Sequence, residues 1–537
     1  MRERLEPADG PVGRDADRGN DVEKSHRTGR LLAVFKALVL LALAAVAAYG
    51  MFNQGIYTEV LWLPVAAGIL ALLFVTVLVR GYYADVPQAA WVMVALLAAL
   101  VGIKGLSMVW TISETETVHE ILRSSMYLAV FVAGLAALAS ARQVGPLVDV
   151  AVLIVAAVAG YGLLQKINPA RYPIDSLDDV RIDSTLEYVN TTAVVLGMGV
   201  ALALARMVTV RNALLRGLYA ALTLAFLVTL YLTVSRGGIG SLAIGVTALL
   251  VLTERRLQVL VNLLLLSAPG VWLLWRIRDL EGFMETHVSD ERRIALGAAF
   301  RNDLIVALAA AFVLQVACAF LANRYELMPT GRRVLGALVV AATVLAVGAG
   351  VFTAVSAYGG VGKAYETLVN NPNQTKDMGQ RLTSLDLGFR EDYWRVGWEA
   401  WKERPLTGTG AGTFKYTWLE NRPNLQGVQQ VHNLYLEQGT ETGVFAFLAL
   451  IGFVVVLVGY CARAAWRAAG ERRVLLAGLT SAVVIYLVSS VLEWHWYLPG
   501  STLFFFFVAA IAAKFACMEG RDVPETAGST ADERPQH

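Results

Sequence analysis

The sequence predicts an all-α fold, a polytopic transmembrane helical bundle of about 14 spans with a long extracytoplasmic loop containing amphipathic helices. Three observations carry that prediction. Of the 537 residues, 56% are hydrophobic and 16% charged, and the mean hydropathy is +0.55, a composition suited to lipid as the main solvent. Apolar runs of roughly 20 residues, enough to cross about 30 Å of hydrocarbon, recur along the chain. Basic residues collect in alternate connections between those runs, the pattern that keeps short loops on the cytoplasmic side. A net charge of +2 is too small to suggest a nucleic-acid partner, and the apolar runs make membrane lipid the partner.

Residues 1–30, rich in charge and glycine, read as a disordered cytoplasmic tail. Spans 1–11 occupy 31–354, with apolar runs near 31–50, 59–79, 88–110, 125–141, 146–165, 188–208, 217–234, 238–254, 257–276, 304–322 and 333–354. The first run follows a polar segment and lacks a small-residue cleavage site, so it reads as a retained span and not as a signal peptide. Residues 355–432 form an extracytoplasmic loop too long to lack a role. Spans 12–14 fill 433–518, near 434–461, 473–492 and 497–518, and residues 519–537 form a second disordered cytoplasmic tail.

Arg80, Arg142, the trio Arg206, Arg211 and Arg216, then Arg255, Arg256, Arg324, Arg332 and Arg333, and finally Arg463, Arg467, Arg472 and Arg473 mark the cytoplasmic connections. Both termini are therefore expected inside. The connection 276–303 dissents, because it holds Arg278, Arg292, Arg293 and Arg301 on the opposite side; these read either as ligand contacts or as headgroup anchors. Cys318, Cys461 and Cys517 have no metal-ligand spacing, so neither zinc nor a disulfide is expected.

Four features carry chemistry, all at outer ends of spans. Ser235-Arg236-Gly237-Gly238 sets an arginine at the water boundary beside open backbone; the bland alternative is a side chain snorkelling to headgroups. Arg181 and Asn190 flank the start of the sixth span, where capping is the simpler explanation. Arg390 opens a segment with Tyr393, Trp394, Trp398 and Trp401 at helical spacing, an amphipathic helix suited to a membrane interface. Pro405 ends it, and Gly408, Gly410 and Gly412 make a turn whose amides suit an anion. Last, His432, Asn433, Tyr435, Glu437 and Glu441 stand where the loop enters a span, and an acid there is costly unless paired. A lone histidine is more often a satisfied hydrogen-bonding group than a catalyst, and its polar neighbours are what favour chemistry here.

In this order, Ser235-Arg236-Gly237, then Arg390 with Trp394 and the Pro405-Leu406-x-Gly408-x-Gly410 turn, then His432-Asn433-x-Tyr435-Leu436 with Glu441 and Gly443, the chain resembles the O-antigen ligase and O-antigen polymerase superfamily of bacterial membranes. The resemblance spans about residues 180 to 460 by motif. It implies a multi-pass protein of the bacterial cytoplasmic membrane that moves a glycan from an undecaprenyl diphosphate carrier to a hydroxyl on a glycan, lipid or protein acceptor, outside the cytoplasm and without a metal or nucleotide cofactor. It further implies catalytic roles for His432, Arg236 and Arg390, with Arg181, Asn433, Tyr435 and Glu441 binding substrate. The chemistry agrees: guanidinium groups bind diphosphate oxygens bidentately, and a neutral imidazole can take the acceptor's proton or position the acceptor. Two departures from the family pattern, about two extra spans and no glycine between Arg181 and Asn190, leave the acceptor open. The competing reading is a flippase or exporter of lipid-linked oligosaccharide, which predicts internal repeats and polar groups at the bilayer midplane.

Overall fold

The computed structural model describes residues 13–174, 180–286, 288–324 and 388–518, with single positions at 334, 337, 341 and 356. Its helices are α1 (Gly13–Phe52), α2 (Glu59–Leu78), α3 (Gln88–Leu106), α4 (Glu114–Ala137), α5 (Val144–Ile167), α6 (Val189–Thr209), α7 (Ala213–Leu232), α8 (Arg236–Leu252), α9 (Arg256–Asp279), α10 (Asp290–Arg324), α11 (Arg390–Glu403), α12 (Phe414–Asn421), α13 (Leu434–Arg467), α14 (Gly470–Ser489) and α15 (Pro499–Cys517). No strand occurs among the described residues. Twelve of the helices are long and apolar enough to cross a membrane. The 17-residue α8, the expected eighth span, is a shorter apolar helix. The expected eleventh span at 333–354, the loop up to residue 387 and the tail 519–537 lie outside the described residues except for those single positions.

Two boundaries differ from expectation for physical reasons. The acid- and Thr-rich stretch before residue 125 read as a loop, yet it forms the first turns of α4. Glu114 and Glu116 occupy the helix start, where the macrodipole favours negative charge. Glu120 is held by Lys104 at 3.0 Å and by Arg123, so a charged sequence can be helical inside the bundle. At the amino end, α1 begins at Gly13, so the second part of the expected disordered tail continues the first helix.

The helices sort into an inner and an outer set. The apolar windows of α6, α15 and α14 are 94%, 89% and 78% buried, whereas that of α2 is 22% buried. Small side chains explain the centre: Ala193, Ala201, Ala203 and Ala205 of α6 are wholly or almost wholly enclosed, which lets α14 close against it.

The two ends of the bundle differ in charge. At one end the short connections are tied by basic residues: Arg206 to Asp149, Arg255 to the Val208 carbonyl at 3.1 Å, Arg473 to the Leu252 carbonyl at 2.8 Å and Arg472 to the Phe515 carbonyl at 2.8 Å. At the other end stand the segment before α6, the α7–α8 corner, α11, α12, the start of α13 and the α14–α15 connection.

There the chain threads itself through a break in α13. Gly443 sits at φ 75°, ψ −175°, a conformation open only to glycine, and a Cβ on it would lie 2.1 Å from the Leu406 carbonyl oxygen. Gly408 has φ 64° and its Cβ would lie 2.3 Å from the Glu441 backbone. The turn after α11 is locked there by Val444 N–H to Pro405 C=O (2.9 Å) and Gly410 N–H to Glu441 C=O (2.8 Å).

Candidate functional site

Each candidate side chain is delivered by a helix terminus, where backbone groups need partners and side chains face solvent. Arg181 lies on the buried segment that leads into α6. Ser235 caps α8: its hydroxyl accepts from Gly238 N–H at 3.2 Å and donates to the Asn190 side-chain oxygen at 2.9 Å. Arg236 follows as the first residue of α8. Arg390 opens α11, and His432 stands just before α13. Two of these corners hold the backbone where few residues go, with Val234 at φ 52° and His432 at φ 58°. Such positions cost energy and persist only when their surroundings fix them.

Between these ends runs a continuous set of hydrogen bonds. Arg181 donates from Nε to the Thr233 carbonyl at 2.8 Å and from Nη2 to Asn190 Oδ1 at 3.3 Å. Asn190 Nδ2 donates to the Tyr188 hydroxyl at 3.2 Å, which donates to Glu493 Oε2 at 2.6 Å. The other oxygen of Glu493 pairs with Arg390 Nη2, and Arg390 Nε donates to the Leu492 carbonyl at 2.8 Å. The turn that carries Arg236 adjoins this chain: Ser235 bonds Asn190, and a Cβ on Gly237 would lie 3.6 Å from the Leu492 side chain. Trp494 joins the histidine to the rest, its ring 4.7 Å from that of Tyr188 and 6.2 Å from that of His432.

The imidazole of His432 has a defined tautomer. Its Nδ1 lies 3.1 Å from the Gln430 carbonyl, and because a carbonyl only accepts, Nδ1 carries the proton in the neutral ring. Nε2 then presents a lone pair, and it has no hydrogen-bond partner among the described residues. Burial pushes the His432 pKa below its ordinary value; Glu493 pulls it up and Arg390 pushes it down, and the net shift is downward. The ring is therefore neutral at pH 7. Burial works against charge on Glu493 and Arg390 too, yet each holds the other ionised: the carboxylate stays below its usual range and the guanidinium above its own.

His495, two residues from Glu493, shows what a structural histidine looks like. It is fully buried, with Nδ1 2.8 Å from the Thr191 hydroxyl and Nε2 2.8 Å from that of Ser489, and burial lowers its pKa to about 4.

Other predicted residues sit elsewhere. Asn433 caps α13, accepting from Tyr435 N–H and Leu436 N–H, both at 3.1 Å, and the Tyr435 hydroxyl donates to the Leu487 carbonyl at 2.8 Å. Glu441 accepts from Gly412 N–H at 2.8 Å and Phe414 N–H at 3.0 Å. The amides of the glycine turn thus meet an acid of the chain itself, the Glu441 side chain. Part of the aromatic face of α11 packs on protein, with Tyr393 buried 5.0 Å from the Trp418 ring and 5.2 Å from that of His432, while Trp398 on the same helix is exposed. Three arginines of 276–303 bond locally, Arg276 to Asp303 at 3.1 Å, Arg292 to the Glu281 carbonyl at 3.1 Å and Arg293 to the Thr286 carbonyl at 2.8 Å.

Sequence reasoning missed Glu493, Tyr188 and Trp494. The signal was present, since Glu493-Trp494-His495-Trp496 is a short polar and aromatic connection between two apolar runs. Among the described residues, no group of three or more His, Cys, Asp or Glu side chains is arranged to hold a metal ion.

Residues 294–451 match the family described as O-antigen ligase. The match takes in Arg390, the glycine turn and His432, and leaves Arg181, Arg236 and Glu493 outside it. No curated protein matches the chain.

Proposed function

We propose that this member of the O-antigen ligase superfamily, a membrane glycan transferase by family, takes its glycan from an undecaprenyl diphosphate carrier and passes it to a hydroxyl acceptor at the outer face of a bacterial inner membrane, without a metal. The observation that supports it is one bonded cluster, at the bundle end away from the basic connections, holding Arg181, Arg390 and the Arg236 turn beside a neutral histidine. By the positive-inside rule that end is extracytoplasmic and both termini are cytoplasmic.

In this mechanism the arginines bind the diphosphate and stabilise the charge that grows on it as it leaves. Glu493 fixes the Arg390 guanidinium in direction, and Tyr188 fixes Glu493. The acceptor oxygen bonds to the anomeric carbon, the bond from that carbon to the diphosphate oxygen breaks with its electron pair leaving on the diphosphate, and the acceptor proton passes to Nε2 of His432. The polyprenyl tail lies against the apolar helices.

The test supplies purified protein with a labelled undecaprenyl diphosphate glycan and separate acceptors. A longer glycan on the carrier identifies a polymerase, and label on another lipid or on protein identifies a ligase. In sealed vesicles, unchanged carrier-linked glycan appearing on the opposite leaflet, with no new glycosidic bond, overturns the proposal in favour of transport.

A further inference from the structure

A cavity of about 460 Å³ lies next to the cluster, between the start of α2 and the residues before it, the first turns of α4, the glycine turn and the start of α13. Its lining is rich in acids, with Glu59, Glu116, Glu120, Glu437 and Glu441 against Arg123 and Lys415. Most of these are committed to neighbours: Glu116 to Lys415 at 2.6 Å, Glu120 to Lys104 and Arg123, Glu441 to the turn amides. Glu437 is not. It is 1% exposed, and neither carboxylate oxygen has a well-formed hydrogen bond among the described residues, the Tyr497 hydroxyl and the Val431 backbone being its polar neighbours.

Three more polar atoms of the lining share that condition: the Tyr497 hydroxyl, Trp62 Nε1 and Arg123 Nε. Folded proteins leave few buried polar atoms unsatisfied, so several around one cavity mark a place where something else supplies the bonds. Its chemistry follows from theirs. The lining offers a diphosphate no spare cation, because Lys415 is paired with Glu116 and Arg123 with Glu120, whereas a sugar hydroxyl donates to Glu437 and accepts from Trp62, Arg123 or Tyr497. The Arg123 guanidinium lies 4.9 Å from the Trp62 ring and 5.2 Å from the Tyr497 ring, so both rings are held in place as apolar walls.

The cavity also shares parts with the cluster. Gln430 lines it, and the Gln430 carbonyl orients His432. Tyr57 lines it too, and its ring is 5.4 Å from Trp494, the ring beside His432.

We propose that this cavity is the acceptor subsite: it holds a hydroxyl-rich sugar through Glu437, Tyr497, Trp62 and Arg123, and presents one of its hydroxyls to Nε2 of His432. The assignment rests on the glycan-transfer reading for its role, but its occupant is read by binding alone.

The experiment titrates full-length purified protein calorimetrically with three probes: the carrier-free oligosaccharide of the donor's repeat, the saccharide released from the cell's own glycolipids, and undecaprenyl diphosphate bearing no glycan. The tighter saccharide identifies the acceptor's source. Glu437→Gln and Tyr497→Phe each weaken saccharide binding by about tenfold while leaving undecaprenyl diphosphate binding unchanged, which also reports a folded protein. Arg390→Ala does the reverse. Saccharide binding unchanged in both cavity variants overturns the assignment and leaves a cavity filled with water. Loss of both ligands in both variants overturns it in favour of a structural role. A wild type that binds saccharide yet forms no glycosidic bond refutes the proposed function and leaves the subsite standing.

Discussion

The arginine–histidine cluster and the acid-lined cavity beside it treat buried polarity in opposite ways. In the cluster, Arg390 has Glu493, Glu493 has Tyr188, Tyr188 has Asn190 and Asn190 has both Arg181 and Ser235. In the cavity, Glu437, Tyr497, Trp62 and Arg123 each keep an atom without a well-formed hydrogen bond among the described residues. A network that is already satisfied holds its members in one geometry before substrate arrives, as electrostatic stabilisation of a leaving group requires. A set of unsatisfied groups lowers its free energy when a ligand enters. The difference separates a region that performs the chemistry from one that holds a reactant.

That contrast can be broken most sharply at His432. His432→Ala is expected to lower the transfer rate by about 10²–10⁴, the usual contribution of a general base, with donor affinity retained. His432→Gln does not rescue, since an amide takes no proton. Next comes Arg390→Ala, expected to cost about 10²–10³ in kcat because it removes a preorganised donor to the leaving group; Arg390→Lys recovers little, a point charge lacking the planar fork. Steady-state kinetics with labelled donor check both, and wild-type rates would sink the site.

The pH profile gives a smaller effect with a definite sign. His432 is depressed below the ordinary histidine value by burial, against the pull of Glu493, so the base is present at pH 7 and lost as pH falls through the lowered value. The rate is expected to be flat above about pH 6.5 and to fall below it. Glu493→Gln removes the carboxylate that raises His432, so the acid limb moves to still lower pH while the plateau drops. A midpoint above 7 in wild type would contradict the assignment. Smaller again is a stability effect: Gly443→Ala puts a side chain where φ is positive and the Leu406 carbonyl is in the way, at a cost of about 1–3 kcal/mol, read from thermal unfolding in detergent. The smallest effect expected is none: a chelator leaves the rate unchanged if guanidinium groups carry the electrostatic role, and loss restored by magnesium would refute that.

The fold was legible because a membrane span announces itself in a run of apolar residues, and the described spans fall close to those runs. It was illegible where charge is neutralised by a partner distant in sequence. Glu120 looked like loop because Lys104, its counterion, is on the preceding helix. The site divides in the same way. Arg236, Arg390 and His432 stand out as polar residues at the ends of spans, and Arg181 with Asn190 reads as a pair across one turn of chain. Glu493 was visible as an acid in a short connection, but only packing shows that the connection meets α11. Glu441 was conspicuous for the right reason, an acid inside a span, yet its partners are backbone amides of a turn near residue 412, which no spacing announces.

The central claim is that His432 and the arginines act on a carrier-linked glycan as one site. Its most direct test loads wild type and His432→Ala with labelled undecaprenyl diphosphate glycan, adds acceptor, and follows release of undecaprenyl diphosphate in a single turnover. The account predicts equal loading, prompt release from wild type, and release from the variant slowed by at least about 10². Release from His432→Ala at the wild-type rate would contradict it.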